Sequence, residues 1–247
     1  YMKRKDFLHL TGICSIGLFT IPHLALGAQD RFTLAQLIGK GNPEITGNSY
    51  RQKMHKQTKA AFLEMKAAAA KDNISIEVVS AYRSFERQKE IFEGKYKRFT
   101  GQGLSPKQVL SKIIEYSTIP GTSRHHWGTD IDIIQANTGA RPSSVLQEKH
   151  FYGNGPFCDM KVWLTKNASS FGFYEVYTKD ANRKGFSHEP WHFSYKPVSK
   201  PMLMAYKKLD IKSILQQEKI MGSEHFNDGF IAKYVQEHIL DINPELL

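Results

Sequence analysis

The chain has 247 residues, of which 40% are hydrophobic and 23% charged, with 18 glycines and 10 prolines. That balance is ordinary for a soluble globular protein and excludes collagen-like and low-complexity chains, and the length suits one sizeable core with appendages. A net charge of +10 reflects either solvated lysines or attraction to an anionic polymer, and the dispersal of the lysines disfavours nucleic acid as that partner.

At the start of the chain, Lys3, Arg4 and Lys5 precede a largely apolar run from Phe7 to Leu26, which closes on Ala25-Leu26-Gly27-Ala28. A basic end, an apolar stretch and a small-residue close read as an export signal, so residues 1–27 are expected to be removed and the mature protein to be periplasmic, extracellular or cell-wall associated. The run is interrupted by His9, Pro22 and His23. Its cleanest part is shorter than the roughly 20 residues of a bilayer span, so no stable membrane span is expected after signal removal. Arg4-Lys5-Asp6-Phe7-Leu8 resembles a twin-arginine signal with one arginine replaced by lysine, which leaves the export route open. Cys14 falls within the signal, so Cys158 is alone in the mature chain, where it is expected to be a buried small apolar side chain.

Residues 57–71, rich in alanine and closed by Asp72-Asn73, predict a helix. The β-branched residues 74–80 predict a strand. Ser84 suits the N-cap of a helix carrying Arg87 to Phe92, and Ser105-Pro106 opens another running to Ile114. After the turn Pro120-Gly121-Thr122, residues 128–134 predict a strand with Asp130 and Asp132 on one face, since side chains alternate across a strand. Residues 159–170 suit a helix ended by Gly172, and residues 173–177 and 192–195 suit further strands. Beyond Pro201 the pattern is helical at 202–220 and 230–240. The whole predicts an α+β fold, a small and mostly antiparallel sheet flanked by helices. The expected organisation is a signal at 1–27, a catalytic domain at 28–198 and a helical C-terminal extension at 199–247.

Two stretches carry the chemistry: Ser123-Arg124-His125-His126-Trp127-Gly128-Thr129-Asp130-Ile131-Asp132 and His188-Glu189-Pro190-Trp191-His192. A catalytic zinc site has three protein ligands and one position left open, and His125, Asp132 and His192 can supply them. Glu189 can then take a proton from the activated water and return it to a leaving amine. His188 and His192 with Glu189 match the H-E-x-x-H signature formally, but that signature needs a helix and Pro190 argues against one. In an extended segment, four residues at about 3.3 Å each separate the two imidazoles too far to share an ion, so His188 is not expected to be a ligand. His126 and Trp127 are expected to line the cleft.

Ser123-x-His125-x-x-Gly128-x-x-x-Asp132, followed by Glu189-Pro190-Trp191-His192, resembles the paired signatures of the LAS metallopeptidases, in particular the D-alanyl-D-alanine carboxypeptidases of the VanY type. Ser80-Ala81-Tyr82-Arg83-Ser84 with Gln88 is similar to a third stretch of those enzymes, and the likeness runs from about Ile74 to Tyr195. The resemblance implies one zinc ion per chain on His125, Asp132 and His192, with Glu189 as catalytic base. It implies that Arg83 faces the substrate, where its planar fork suits a carboxylate or a polarised carbonyl, and that Gln88 and Ser123 help position the peptide end. Asp130 stands where such enzymes usually have a small residue; it could compete as a ligand or orient a ligand histidine.

The function so implied is that of an exported zinc-dependent carboxypeptidase hydrolysing the terminal D-alanine of peptidoglycan stem peptides through zinc-bound water. A murein endopeptidase or an L,D-carboxypeptidase of the same fold stands as an alternative. So does a zinc-containing binding module, because the hedgehog signalling domain resembles this fold; the presence of Glu189 and Arg83 counts against it.

Overall fold

The computed structural model describes residues 31–139 and 141–247; the expected signal at 1–27 lies outside them. In chain order the elements are helix α1 (Leu34–Ile38), strands β1 (Ile45–Thr46) and β2 (Met54–His55), helix α2 (Lys56–Lys71), strand β3 (Ile76–Ser80) and helices α3 (Phe85–Gly101) and α4 (Pro106–Ile114). There follow β4 (Asp130–Gln135), α5 (Cys158–Asn167), β5 (Phe173–Glu175), β6 (His192–Tyr195) and helices α6 (Lys196–Tyr206), α7 (Ile211–Gln217) and α8 (Asp228–Tyr234). β1 and β2 form a hairpin-like pair, while the main sheet has the order β3-β4-β6-β5 with every neighbouring pair antiparallel. Mixed helices around one antiparallel sheet make the fold α+β.

The sheet has two chemically different faces. Ile131 and Ile133 of β4 and Phe193 of β6 alternate onto one side and are buried in a cluster with Phe62, Met65 and Ala69 of α2 and Met160 and Leu164 of α5. Full burial of such side chains contributes about 1.5–3 kcal/mol each. α2 supplies its share because Thr58, Phe62, Met65 and Ala69 recur at helical spacing. The opposite face carries Asp130, Asp132, His192 and Ser194. Register then sets the pairs: Asp132 lies directly across from His192 and Asp130 across from Ser194. Slipping β6 by one residue would turn all four of its side chains over, so the apolar face locks the polar one.

Helix boundaries follow local chemistry. The Ser84 side chain accepts from the Arg87 amide at the start of α3, and the Ser105 and Gln108 side chains form a capping box before α4, with Pro106 in its first turn. The helix expected at 159–170 closes earlier, at Asn167, and continues as a 3₁₀ turn to Phe171 before Gly172 takes a left-handed conformation at φ 79°. Three expectations need correction. Pro201 does not precede the C-terminal helical region but lies inside α6, which starts at Lys196; burial of Val198, Met202, Leu203 and Tyr206 outweighs the lost donor. The single helix expected at 202–220 is broken at the end of α6, and α7 begins afresh on an Asp210 cap. Cys158 is half-buried rather than buried.

The helices beyond residue 198 share a second hydrophobic cluster with α1, α3 and α4. They also hold the approach to the first motif. The Tyr206 hydroxyl donates to the Gly121 carbonyl at 2.8 Å, and the Ile119 amide donates to the Tyr234 hydroxyl at 3.1 Å. No helix of the described residues is long and apolar enough to cross a membrane.

Candidate metal centre

His125 sits in a 3₁₀ turn, Arg124–Trp127, which Gly128 ends at φ 69°. A Cβ at Gly128 would lie 2.3 Å from Ile45 Cδ1 and 2.7 Å from the His55 amide nitrogen, so only glycine allows both the left-handed turn and the close packing on β2. The loop after β3 is stitched to this turn twice: His125 Nδ1 donates to the Ala81 carbonyl at 2.7 Å, and the Arg83 amide donates to the His125 carbonyl at 3.1 Å. The first bond fixes the tautomer and leaves His125 Nε2 directed at the sheet.

There it meets Asp132 and His192. His125 Nε2 is 3.6 Å from Asp132 Oδ2, and His192 Nδ1 is 3.9 Å from Asp132 Oδ1. One ligand atom from each of the three residues can be chosen so that no pair is more than 4.8 Å apart. Two nitrogen or oxygen ligands on one tetrahedral zinc ion lie roughly 3.4 Å from each other, so small side-chain adjustments close the set on a cation. A second observation favours one: Asp132 Oδ1 is buried and makes no hydrogen bond to any described residue. Buried carboxylate oxygens normally have donors, and a cation bound by His125, Asp132 and His192 would satisfy this one. Although burial opposes ionisation, His125, His192 and Arg83 hold the Asp132 carboxyl below its usual range. Burial likewise opposes charge on His192, but bonds to Asp130 and Glu189 outweigh it and raise the pKa to about 10 in the metal-free chain.

Glu189 precedes His192 by one turn of backbone, with the His192 amide donating to the Glu189 carbonyl at 3.1 Å. Its Oε2 lies 2.9 Å from His192 Nδ1, the imidazole nitrogen that is also 3.9 Å from Asp132 Oδ1. The segment is not helical, and His188 is drawn elsewhere: its Nδ1 donates to the Tyr177 carbonyl and its Nε2 accepts from the Tyr152 hydroxyl, both at 2.8 Å. The formal H-E-x-x-H match therefore does not build a two-histidine site.

The group opens into a cleft of about 570 Å³ lined by Arg83, Ser123, Tyr177, Glu189 and Trp191 among others. Arg83 Nη1 donates to Gln88 Oε1 at 2.8 Å and Nη2 to Ser80 Oγ at 3.2 Å. Both partners are neutral, and Arg83 forms no salt bridge among the described residues, so its charge is aimed but not neutralised. Burial lowers its pKa, yet a guanidinium stays protonated at neutral pH. Gln88 is fully buried behind it and does not line the cleft; its amide nitrogen donates to the Thr118 carbonyl at 2.7 Å. Gln88 thus reaches a peptide only through Arg83. Ser123 lies on the cleft wall, and its hydroxyl makes no hydrogen bond to a described residue.

Two neighbours are placed differently from expectation. His126 and Trp127 do not line the cleft. His126 is completely buried, donates through Nδ1 to the Arg83 carbonyl at 2.6 Å and accepts the Gly121 amide at 3.0 Å; burial pushes its pKa down to about 3. Trp127 Nε1 donates to the Leu37 carbonyl at 3.0 Å from within the second cluster. Sequence reasoning also missed Tyr177, whose ring meets His192 edge-on at 5.1 Å, and Ser80 as a support for Arg83. No motif marks Tyr177, whereas Ser80 stands in the quoted stretch three residues before Arg83.

Residues 51–198 match the family described as VanY, D-alanyl-D-alanine carboxypeptidase. A D-alanyl-D-alanine carboxypeptidase of Enterococcus faecalis is 29% identical over 153 residues, 62% of this chain and 52% of that protein; the matched region thus spans about half of that relative's length. A solved structure of VanYB in complex with D-alanine-D-alanine is 24% identical, covers 73% of this chain and 92% of its own, and superposes with a TM-score of 0.51, a likeness of fold. A vancomycin-resistance D,D-pentapeptidase VanY solved with Zn(II) is 23% identical over 70% of this chain and 90% of its own, with a TM-score of 0.49. Because the family match covers more than half of the residues and contains all of the candidate ligands, Glu189 and Arg83, the chain belongs to the VanY D-alanyl-D-alanine carboxypeptidase family.

Proposed function

We propose that this protein is an exported zinc-dependent carboxypeptidase that removes the terminal D-alanine from peptidoglycan stem peptides. The observation that carries the reading is the convergence of His125, Asp132 and His192, with Glu189 beside their open side and a charged, unneutralised Arg83 in the same cleft. A zinc ion held by the three side chains supplies a Lewis acid that polarises a peptide carbonyl and makes water more acidic. Arg83 binds the terminal carboxylate of the peptide through its planar fork, oriented from behind by Gln88 and Ser80. Glu189 accepts the proton of the attacking water and returns it to the leaving amine of D-alanine. Ser123 donates to the peptide end from the cleft wall. Export is supported by the basic and apolar run before residue 28, and an anionic wall polymer suits a chain that stays basic, at net +8, once Lys3, Arg4, Lys5 and Asp6 leave with that run.

The test is to incubate the purified protein with muropeptides of defined stem length, with and without a chelator, and to weigh the products. Loss of one alanine from a pentapeptide stem, abolished by chelation and restored by zinc, is the expected result. Loss from a tetrapeptide stem instead assigns L,D-specificity, severed cross-links assign an endopeptidase, and zinc binding with no cleavage assigns a binding module.

A further inference from the structure

The candidate centre is backed by a second layer of charge that the mechanism above does not use. Asp130 is fully buried in β4, two residues before Asp132 and on the same face. Its Oδ1 accepts from Arg124 Nε at 2.8 Å and lies 3.0 Å from His192 Nε2; its Oδ2 accepts from the Thr129 hydroxyl at 2.6 Å and the Ser194 hydroxyl at 2.8 Å. Arg124 also donates from Nη2 to Ser194 Oγ at 2.8 Å. A carboxylate offers about four lone-pair sites, and here four donors occupy them. Asp130 therefore has no oxygen left to give to an ion, which removes it as a competing ligand.

Stability is a poor explanation for such a group. Burying an aspartate and an arginine together carries a desolvation cost that their attraction often only offsets. The pair does, however, act on one particular atom. An imidazole can present either nitrogen, and a ring is committed to one of them when its other N–H has a fixed acceptor. With Nε2–H bound to Asp130, His192 keeps Nδ1 for the candidate centre, 2.9 Å from Glu189 Oε2 and 3.9 Å from Asp132 Oδ1.

We propose that Asp130, held by Arg124, Thr129 and Ser194, is the positioning residue for the third metal ligand: it anchors His192 Nε2–H so that Nδ1 is preset for the cation. This rests on the reading of His192 as a ligand. Outer partners of ligating histidines are worth about 10- to 100-fold in metal affinity. Zinc affinity of the folded protein, measured by competition with a chromophoric chelator, is the readout. The double variant Arg124→Met/Asp130→Ala, which removes both charges, is expected to bind zinc about 10- to 100-fold more weakly. Asp130→Asn keeps the volume and one acceptor and is expected to lose less, with a faster-exchanging His192 Nε2–H resonance in the zinc-loaded protein. Should the double variant fail to fold, as judged by its melting curve, Asp130→Asn alone decides. Folded variants with wild-type zinc affinity and an unchanged Nε2–H signal would overturn the inference. His192→Ala separates the two readings: if it too binds zinc like the wild type, the ligand assignment fails, whereas loss in His192→Ala alone leaves that assignment standing and removes only the role of Asp130.

Discussion

Replacing Gln88 by Leu tests whether Arg83 depends on being aimed. The side chain is fully buried, and the change deletes its bond to Arg83 Nη1 at 2.8 Å together with those to the Thr118 carbonyl at 2.7 Å and the Ser117 hydroxyl at 3.4 Å. A hydrogen bond to a charged group contributes about 1.5–3 kcal/mol, and neutral ones about 0.5–1.5 kcal/mol each. If the first is expressed on the substrate, about 1.36 kcal/mol per decade converts it into a 10- to 150-fold loss in kcat/KM. The neutral bonds register as stability, a fall of several degrees in Tm. Zinc content should not move, because Gln88 touches none of His125, Asp132 and His192. The assay is D-alanine release from a synthetic pentapeptide stem, with metal analysis and a thermal melt on the same preparation. A folded, zinc-loaded Gln88→Leu variant whose kcat/KM stays within about twofold of wild type would refute the idea that the buried amide orients the guanidinium.

Glu189→Gln should lower kcat by about 10²- to 10⁴-fold, the usual worth of a general base, while metal analysis finds the zinc retained; unchanged turnover would take Glu189 out of the chemistry. Gly185→Ala should destabilise the fold, since a Cβ there would come within 1.6 Å of the Glu237 carbonyl oxygen; overpacking costs about 1–3 kcal/mol or more, and an unaltered melting curve would show that the segment after α8 is not packed against this loop. His238, stacked on Tyr234 and edge-on to Phe186 with ring centroids 4.9 Å apart in both cases, has its pKa lowered by burial. Its folded value thus lies below its unfolded one, so the unfolded chain takes up the proton first and stability is lost as pH falls below about 6.5. His238→Phe removes that loss, and its Tm advantage over wild type should widen between about pH 7 and pH 5; parallel Tm curves would contradict the reasoning.

Much of the centre could be read without coordinates because its chemistry is concentrated in short segments. His125, Gly128 and Asp132 fall within one turn and one strand, and Glu189 and His192 within another turn, so backbone geometry alone limits where their side chains can go. Gln88 was half legible. It lies three residues after Phe85 and four before Phe92, on the buried stripe of α3, and that spacing already speaks for an inward-facing amide rather than a peptide contact. His126 and Trp127 were misplaced because their tight turn does not alternate sides as a strand does, and their direction depends on partners ninety residues away (Leu37) or in another loop (Arg83).

By itself, then, the sequence determined the residue types, the local turns and the apolar alternation that forces β4 and β6 to show one polar face. The tertiary structure decided the rest. Pairing β4 with β6 brought Asp132 across from His192 and Asp130 across from Ser194, though some sixty residues of chain separate them. The C-terminal helices, whose purpose the sequence did not reveal, reach back through Tyr206 and Tyr234 to hold the turn that delivers His125. Local propensity acts over a few residues, whereas convergence on one cation depends on register and packing between distant segments, and those are settled only when the two cores close together.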